Sequence, residues 1–228
     1  MSVILLKFAS PLQSWGGLAN YEIRNTEYYP TKSAVIGLVA AAFGYKKTDT
    51  ESIKRLNSLN FSVRIDQKGS LIRDFQIAME YNPKYMPNDP NYFVKSNLIQ
   101  KYYIQDAKFL IALSSDDETL MEDVYNALES PAYQLFLGRK SNPINADYLI
   151  GKFDGNELEI IKDYEWLASK WYKKSIKKDS VELSIFSDYI DTGSKEKLIR
   201  RDLTESFENT KRDFSSRFEY RYVTKVGE

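Results

Sequence analysis

The sequence predicts an α+β protein, because short strand patterns alternate with two helix patterns along roughly the first 145 residues. The strand patterns are short apolar runs or alternate apolar and polar residues, which are the two signatures of buried and half-buried strands. The helix patterns lie at residues 31–43 and 116–128. The first has residues that suit a helix entrance and exit, and the second is amphipathic with acidic residues in its first turn. At 228 residues the chain is long enough for one large domain or two small ones.

The first strand is predicted at residues 3–8, an apolar run that ends at a Ser-Pro turn. A polar loop leads from it to the first helix, at 31–43. Every residue from 34 to 43 is apolar or glycine, so this helix is expected to be packed on all sides. Gly44 suits its C-terminal end.

The rest of the first half completes a recognisable order. We expect a weaker helix at 51–59, strands at 61–66 and 71–78, a proline-rich excursion at about 80–103, one long strand at 101–113, the helix at 116–128 and a strand at 133–137. This is the β-α-β-β-α-β order of a ferredoxin-like domain, the fold of RNA-recognition motifs. The domain is placed at 1–145, with the excursion as an extended thumb hairpin.

Residues 146–228 are predicted to form a smaller, mostly β C-terminal part. Its strand patterns lie at 157–161, 181–186 and 217–226, and lysine-rich stretches separate them.

Composition excludes several kinds of site. The chain contains no cysteine and no histidine, so disulfides, thiolate metal sites and histidine general bases are excluded, and we expect no metal and no cofactor. The apolar run at 34–43 is far shorter than a membrane span, and residues 1–8 resemble a strand more than a signal peptide. A soluble, cytoplasmic protein is therefore expected.

Charge is balanced in total but uneven along the chain. Residues 1–110 have a surplus of basic side chains, whereas residues 114–130 contain six acidic ones and no basic one. The acidic residues fall on the helix at 116–128, where a solvated helix face explains them better than a metal site does. A zero net charge thus leaves a nucleic-acid partner possible.

The entrance of the first helix is a candidate phosphate site. Thr31, Lys32 and Ser33 lie where free backbone N–H groups and the helix dipole favour an anion. A nucleotide-hydrolysing P-loop is rejected, since Gly37 and Gly44 lie in and after the helix at the wrong spacing. An ordinary capped core helix is the open alternative.

A second basic turn follows the strand predicted at 133–137. Gly138 permits a positive φ and close approach of a ligand, and Arg139, Lys140 and Ser141 supply cations and a hydroxyl. In the predicted fold this turn lies on the same side as the loop after the first strand. A charged surface turn is the alternative.

That first loop and the excursion supply candidate nucleobase contacts. The loop contains Gln13, Trp15 and Arg24, and Trp15 is either a core anchor or a stacking platform for a base. The excursion interleaves tyrosines with lysines, including Lys101, a composition typical of single-stranded nucleic-acid binding. A tyrosine-rich hairpin that contacts protein is equally compatible with it.

Taken together, five ordered segments resemble the CasD family of CRISPR-associated proteins. They are PLQSWG, PTKSAVIGLVAAAFG, LIRDFQIA, YYIQDAKFLIAL and PAYQLFLGRKSNP, which all lie within residues 3–143. The resemblance implies a ferredoxin-like RNA-binding subunit of the type I-E Cascade surveillance complex that holds the 5′ handle of the guide RNA (crRNA). It also implies a mostly non-catalytic role, contacts with the backbone and large subunits, and an indirect role in binding target DNA.

The resemblance carries functional residues onto this chain by position. The handle-facing candidates are Gln13, Trp15, Lys32, Ser33, Arg73, Lys101, Arg139, Lys140 and Ser141. The chain departs from the family at Gln76, where members commonly have histidine. The alternative function is a metal-independent endoribonuclease that processes precursor crRNA, although the histidine-containing site of such relatives is absent here.

Overall fold

The computed structural model describes residues 1–17, 22–176, 180–191, 193–208 and 213–227. It confirms the α+β class. The strands are β1 Ser2–Phe8, β2 Leu12–Gln13, β3 Ile23–Arg24, β4 Asn60–Gln67, β5 Ser70–Tyr81, β6 Phe93–Gln105, β7 Lys108–Ser115, β8 Leu149–Asp154, β9 Ser180–Ser187, β10 Glu196–Ser206 and β11 Asp213–Gly227. The helices are α1 Lys32–Phe43, α2 Thr50–Leu56, α3 Glu118–Glu129, α4 Glu157–Asp163 and α5 Lys170–Ile176.

The main sheet has seven strands in the order β10-β11-β9-β4-β7-β1-β8, and every neighbouring pair is antiparallel. β1 lies between β7 and β8, and its side chains alternate between the two faces of the sheet. Ile4, Leu6 and Phe8 face one apolar core, whereas Val3 and Leu5 face another. Both faces of the central strands are therefore covered, which explains their almost continuous apolar sequence.

Helices α1 and α3 pack on one face of the sheet, and α4 packs on the other. α1 begins at its cap residue Thr31, whose side chain accepts a hydrogen bond from the backbone N–H of Ala34. It ends at Gly44, which has a φ of 78°. The predicted bounds of this buried helix are thus confirmed, as is α3, which is amphipathic and capped by Asp117.

The thumb hairpin is built from β5 and β6, which pair from Ser70 opposite Gln105 to Tyr81 opposite Phe93. It belongs to a second sheet with the short strands β2 and β3. The single strand predicted at 101–113 is wrong: β6 ends at Gln105 and β7 begins at Lys108 in the other sheet. Asp106, with a φ of 56°, turns the chain between them.

Two further predicted strands are wrong. Residues 133–137 form only an isolated bridge between Phe136 and Pro143. The place beside β1 is taken by β8, which the sequence pattern did not reveal. Residues 157–161 belong to helix α4, because the side chain of Asn156 caps it by accepting from the backbone N–H groups of Leu158 and Glu159.

The C-terminal strands continue the same sheet. β9 is confirmed and pairs with β4, β11 pairs with β9, and β10 was not predicted. The boundary expected near residue 145 therefore does not separate two sheets. In the part of the chain that the structure describes, no helix is long and apolar enough to cross a membrane.

Candidate nucleic-acid interface

The base of the thumb hairpin brings together three of the predicted RNA-binding cations. β3 pairs in parallel with β6, which places Arg24 opposite Lys101. The guanidinium of Arg139 lies 4.3 Å from the centre of the Tyr103 ring. Its Nη2 also donates a hydrogen bond of 3.0 Å to the carbonyl oxygen of Arg24. We call Arg24, Lys101, Tyr103 and Arg139 the hairpin-base cluster.

The turn that carries Arg139 is fixed against the loop after β1. Gly138 has a φ of 86°, and a Cβ at this position would lie 1.5 Å from the backbone oxygen of Ser14. The backbone N–H of Ser14 in turn donates to the carbonyl of Leu137 at 3.2 Å. Only glycine allows this approach, so Gly138 serves to dock the turn rather than to admit a ligand.

Buried Asn142 closes the same turn. Its backbone N–H donates to the carbonyl of Arg139 at 2.8 Å, and its side-chain Nδ2 donates to the carbonyl of Leu137 at 3.2 Å. Lys140 and Ser141 lie between these anchored residues and are exposed. The turn therefore presents a cation and a hydroxyl beside Arg139 on a constrained backbone.

Lys101 is held by a short chain of side-chain hydrogen bonds on the hairpin. Its Nζ donates to Oε1 of Gln76 at 2.6 Å, and Nε2 of Gln76 donates to Oδ2 of Asp74 at 2.7 Å. Gln76 stands at the position where the family resemblance led us to expect a histidine. An amide has no titratable proton, so Gln76 positions Lys101 but cannot act as a general base.

Arg73 does not join the hairpin-base cluster. It lies opposite Tyr102 in the β5–β6 register, whereas Asp74 lies opposite Lys101. Because side chains alternate along a strand, Arg73 and Lys101 face opposite sides of the hairpin. Arg73 is exposed on its side.

The structure contradicts the prediction that Gln13 and Trp15 contact RNA. Gln13 is fully buried, and its Nε2 donates to the carbonyl of Ala107 at 2.8 Å. Trp15 is 1% exposed, is stacked on Phe8 with the ring centroids 5.5 Å apart, and meets Phe109 edge to face. Trp15 is thus the core anchor that the sequence left as an alternative, and neither side chain reaches solvent.

The structure also contradicts the predicted RNA contact of Lys32. It is 5% exposed, and its ammonium donates to the carbonyl of Leu59 at 2.6 Å and to Oδ2 of Asp188 at 2.7 Å. A charged group is buried only when it is paired and hydrogen-bonded in this way. The cation predicted to hold phosphate at the helix entrance is therefore used inside the protein.

The N-terminus of α1 does bind an anion, but the anion is a carboxylate of the same chain. Oδ2 of Asp202 accepts a hydrogen bond of 2.8 Å from the backbone N–H of Lys32. Ser33 is only partly exposed, and its hydroxyl lies 3.2 Å from that of Thr31. The helix terminus therefore favours an anion as predicted, but the anion is the Asp202 carboxylate and not a phosphate.

Comparisons with known proteins place this arrangement in a family. The family model described as CRISPR-associated protein (Cas_Cas5) matches residues 3–220. The chain belongs to the Cas5 family. This confirms the family predicted from the ordered segments, since the curated relatives include the CRISPR system Cascade subunit CasD of Escherichia coli (strain K12). That relative is 27% identical over 184 residues, which are 76% of this chain and 81% of the relative.

Solved structures agree with the Cas5 assignment in fold. A chain described as part of a CRISPR RNA-guided surveillance complex aligns with a TM-score of 0.77 and 23% identity, over 99% of this chain and 91% of that one. A second chain, described as the crystal structure of a Cas protein, aligns with a TM-score of 0.62 and 26% identity, over 99% and 94% of the two chains.

In this Cas5 chain a buried polar network ties the helix entrance to the C-terminal strands, and sequence reasoning missed it. Asp202 accepts from Nε of Arg217 at 2.7 Å, and Nη2 of Arg217 donates to Glu219 at 2.9 Å. Glu219 accepts from the hydroxyl of Tyr29 at 2.7 Å and from Nε of Arg200 at 3.0 Å. Burial, followed by the charge of Glu219, raises the pKa of the Tyr29 hydroxyl, so this hydroxyl stays protonated.

Tyr103 was one of the tyrosines noted in the excursion, but it was not selected as a site residue although a signal for it existed. It lies two residues after Lys101 on a strand, so the two side chains share one face of the hairpin. Among the described residues, no group of three or more acidic side chains is arranged so that it could hold a metal ion.

Proposed function

We propose that this chain is the subunit of a type I-E Cascade complex that holds the 5′ handle of crRNA, without cleaving it. The family membership and the CasD relative support the complex. The observation that carries the RNA-binding part is the hairpin-base cluster, because Arg24, Lys101 and Arg139 converge there from three separate segments beside exposed Lys140. Clustered cations suit RNA phosphates, and buried Tyr103, which is 6% exposed, holds the Arg139 guanidinium in place.

The strand order supports a ferredoxin-like core. β1, α1, β4, β7, α3 and β8 follow the β-α-β-β-α-β sequence, and the four strands lie in the order β8-β1-β7-β4. In this assignment β8, rather than residues 133–137, is the fourth core strand. Residues 133–137 then lead into the turn that carries Arg139, Lys140 and Ser141.

The thumb hairpin is proposed to dock on the neighbouring backbone subunit and to bend the guide there. One face of the hairpin presents apolar side chains that are each about half exposed, namely Leu71, Phe75, Ile77 and Met79 on β5 and Leu98 on β6. An apolar stripe of this kind on a projecting hairpin is typical of a protein contact. Arg73 lies on this same face, where it can reach RNA at the contact.

The test is the affinity of the purified protein for single-stranded handle RNA. The variant Arg139→Ala/Lys140→Ala removes two cations from the interface, and Lys54→Ala/Lys225→Ala removes two exposed cations elsewhere. If both interface cations contact phosphates, the slope of log affinity against log salt falls by about 1.4, because each contact with a single strand contributes about 0.7. The proposal fails if both variants bind handle RNA as the unmodified chain does.

The absence of cleavage is tested separately. When the protein is incubated with full repeat RNA in the presence of a chelator, we expect the RNA to stay intact. The amide of Gln76 accepts a hydrogen bond from Lys101 but cannot act as a general base. A defined cut beside the repeat hairpin would overturn the non-catalytic part of the proposal.

A further inference from the structure

A cavity of about 210 Å³ lies at the end of the main sheet, where the chain leaves β1 and β4 and enters β7. Its wall includes residues from four separate segments. Those that matter for its chemistry are Ser10, Gln67, Asp106, Lys108, Ser169 and Trp171. The cavity is too small for a large cofactor but matches the size of one nucleobase with part of its sugar.

The walls of the cavity are fixed to one another by hydrogen bonds. Oε1 of Gln67 accepts from the backbone N–H of Ser169 at 3.0 Å, and its Nε2 donates to the carbonyl of Asp106. The backbone N–H of Asp106 donates to the carbonyl of Pro11 at 3.0 Å. The loop after β1, the end of β4, the turn before β7 and the start of α5 are therefore held together before any ligand binds.

Trp171 is an exposed aromatic ring at the edge of this cavity. Its side chain is 60% exposed, whereas Trp15 and Trp166 are 1% and 9% exposed. The other two tryptophans pack in the interior, so core packing does not explain Trp171. A large exposed ring beside a polar cavity is suited to stacking on a flat ligand.

Polar groups without partners point to the charge of that ligand. The hydroxyl of Ser10 is buried, the residue being 5% exposed, and it has no hydrogen-bond partner among the described residues. The ammonium of Lys108 forms no ion pair within the part of the chain that the structure describes. Burial, followed by the nearby positive charge of Lys7, lowers the pKa of Lys108, while the carboxylates of Asp147 and Asp66 act in the opposite direction without cancelling this effect. An anion in the cavity would relieve both features.

We propose that this cavity binds one unstacked nucleotide of single-stranded RNA, with the base on Trp171 and a phosphate on Lys108. The Ser10 hydroxyl would donate to the phosphate or the base. The Asp106 carboxylate would accept from a 2′-hydroxyl or an exocyclic amine. This inference rests on the proposed function and assigns a second RNA contact outside the hairpin-base cluster.

The loop after β1 connects the two sites. Ser10 lines the cavity, and Ser14 contacts Gly138 in the turn that carries Arg139. Ser14 follows Ser10 by four positions in the chain, so their Cα atoms are at most about 14 Å apart. One short single strand would contact both sites in this proposal. Five of the nine residues that line the cavity are polar or charged, and these give an RNA strand more hydrogen-bonding partners than an apolar peptide would need.

Tryptophan fluorescence tests the proposal directly, because Trp171 is the exposed ring among three tryptophans. Titration with handle RNA is expected to quench the emission and to protect it from acrylamide. Trp171→Phe should remove that signal while affinity is largely kept, since phenylalanine still stacks. Trp171→Ala should weaken RNA binding by about 5- to 150-fold, the cost of one lost base stack. Lys108→Gln should weaken binding and reduce the salt dependence.

The outcomes separate this inference from the proposed function. If Trp171→Ala and Lys108→Gln bind RNA normally while Arg139→Ala/Lys140→Ala does not, the cavity proposal is overturned and the proposed function stands. If all of these variants bind normally, both are overturned. If Trp171→Ala loses only assembly with other Cascade subunits, with its RNA affinity unchanged, the cavity holds a protein segment and the proposal is wrong.

Discussion

The ammonium of Lys32 lies 2.7 Å from the carboxylate of Asp188, and both side chains are almost completely buried. The pair joins the first turn of α1 to the end of β9, 156 residues later in the chain. Asp188 also accepts a hydrogen bond of 2.7 Å from the backbone N–H of Phe61. The polar entrance of α1 therefore holds the C-terminal strands onto the core.

The Lys32–Asp188 pair predicts a loss of stability rather than of RNA contact. Lys32→Met leaves a buried carboxylate without its partner, and we expect it to reduce the free energy of unfolding by about 3–5 kcal/mol. Urea unfolding followed by circular dichroism measures this value. Lys32→Met/Asp188→Asn removes the charge on both sides and should be less destabilised. If Lys32→Met left the stability unchanged but abolished RNA binding, Lys32 would contact an RNA phosphate as the sequence predicted.

A pH dependence of stability is predicted from buried Glu157. Its carboxyl group is fully buried and hydrogen-bonded to the hydroxyls of Ser62 and Ser114. Burial raises its pKa from 4.5 to about 7. Because the folded pKa is the higher one, the favourable contribution is complete below about pH 4.5 and is lost as the pH rises through about 7.

The measurement is the free energy of unfolding of the unmodified protein and of Glu157→Gln from pH 5 to pH 8. Glutamine does not titrate. The free energy of unfolding of the unmodified protein should therefore fall relative to that of Glu157→Gln as the pH rises, by about 3 kcal/mol at most. A difference that is flat across this range would show that Glu157 titrates normally.

Arg139 is predicted to need its planar guanidinium and not only its charge. Lysine cannot both cover the Tyr103 ring and donate to the Arg24 carbonyl as arginine does. Arg139→Lys should weaken handle-RNA binding by about 3- to 30-fold. Lys140→Arg, at the exposed neighbouring position, is the matched control and should bind normally. Equal effects of the two changes would argue against a positioned Arg139.

The apolar face of the thumb hairpin is predicted to contribute to assembly and not to folding. Phe75 and Ile77 are 52% and 51% exposed, so Phe75→Ser/Ile77→Ser should unfold like the unmodified protein. Co-purification with the backbone subunit should nevertheless be lost. Lys95 lies on the opposite face of the hairpin, where it pairs with Glu80. The control variant Lys95→Ser should therefore still co-purify with the backbone subunit. Full assembly of the double variant would exclude this face as the contact.

The sequence predicted elements whose signals are local. α1 contains only apolar residues and glycine from Ala34 to Phe43 and is followed by Gly44, and β1 is a short apolar run. Both were therefore predicted at nearly their observed bounds. Helix α4 had a local signal that was overlooked, because Asn156 is a favourable cap before Leu158. The strand pattern at 133–137 was misleading, since Leu135 and Leu137 are buried without belonging to a strand.

The same difference between local and long-range signals explains which parts of the candidate site could be predicted. Arg24, Lys101 and Arg139 were predicted as candidates from their residue types, and Lys101 and Arg139 also from the family resemblance. Their convergence depends on the parallel pairing of β3 with β6, which no local pattern reveals. Lys32 was misassigned for the complementary reason, because its partner Asp188 lies far along the chain.

The most direct test of an RNA site at the hairpin base is photo-crosslinking of handle RNA that contains 4-thiouridine, followed by mass spectrometry of the protein. We expect crosslinked peptides that contain residues 138–141, together with peptides from β6 around Lys101. Crosslinks should disappear from the turn in Arg139→Ala/Lys140→Ala. Efficient crosslinking confined to other surfaces, with none at the turn or on β6, would show that RNA does not bind at the hairpin base.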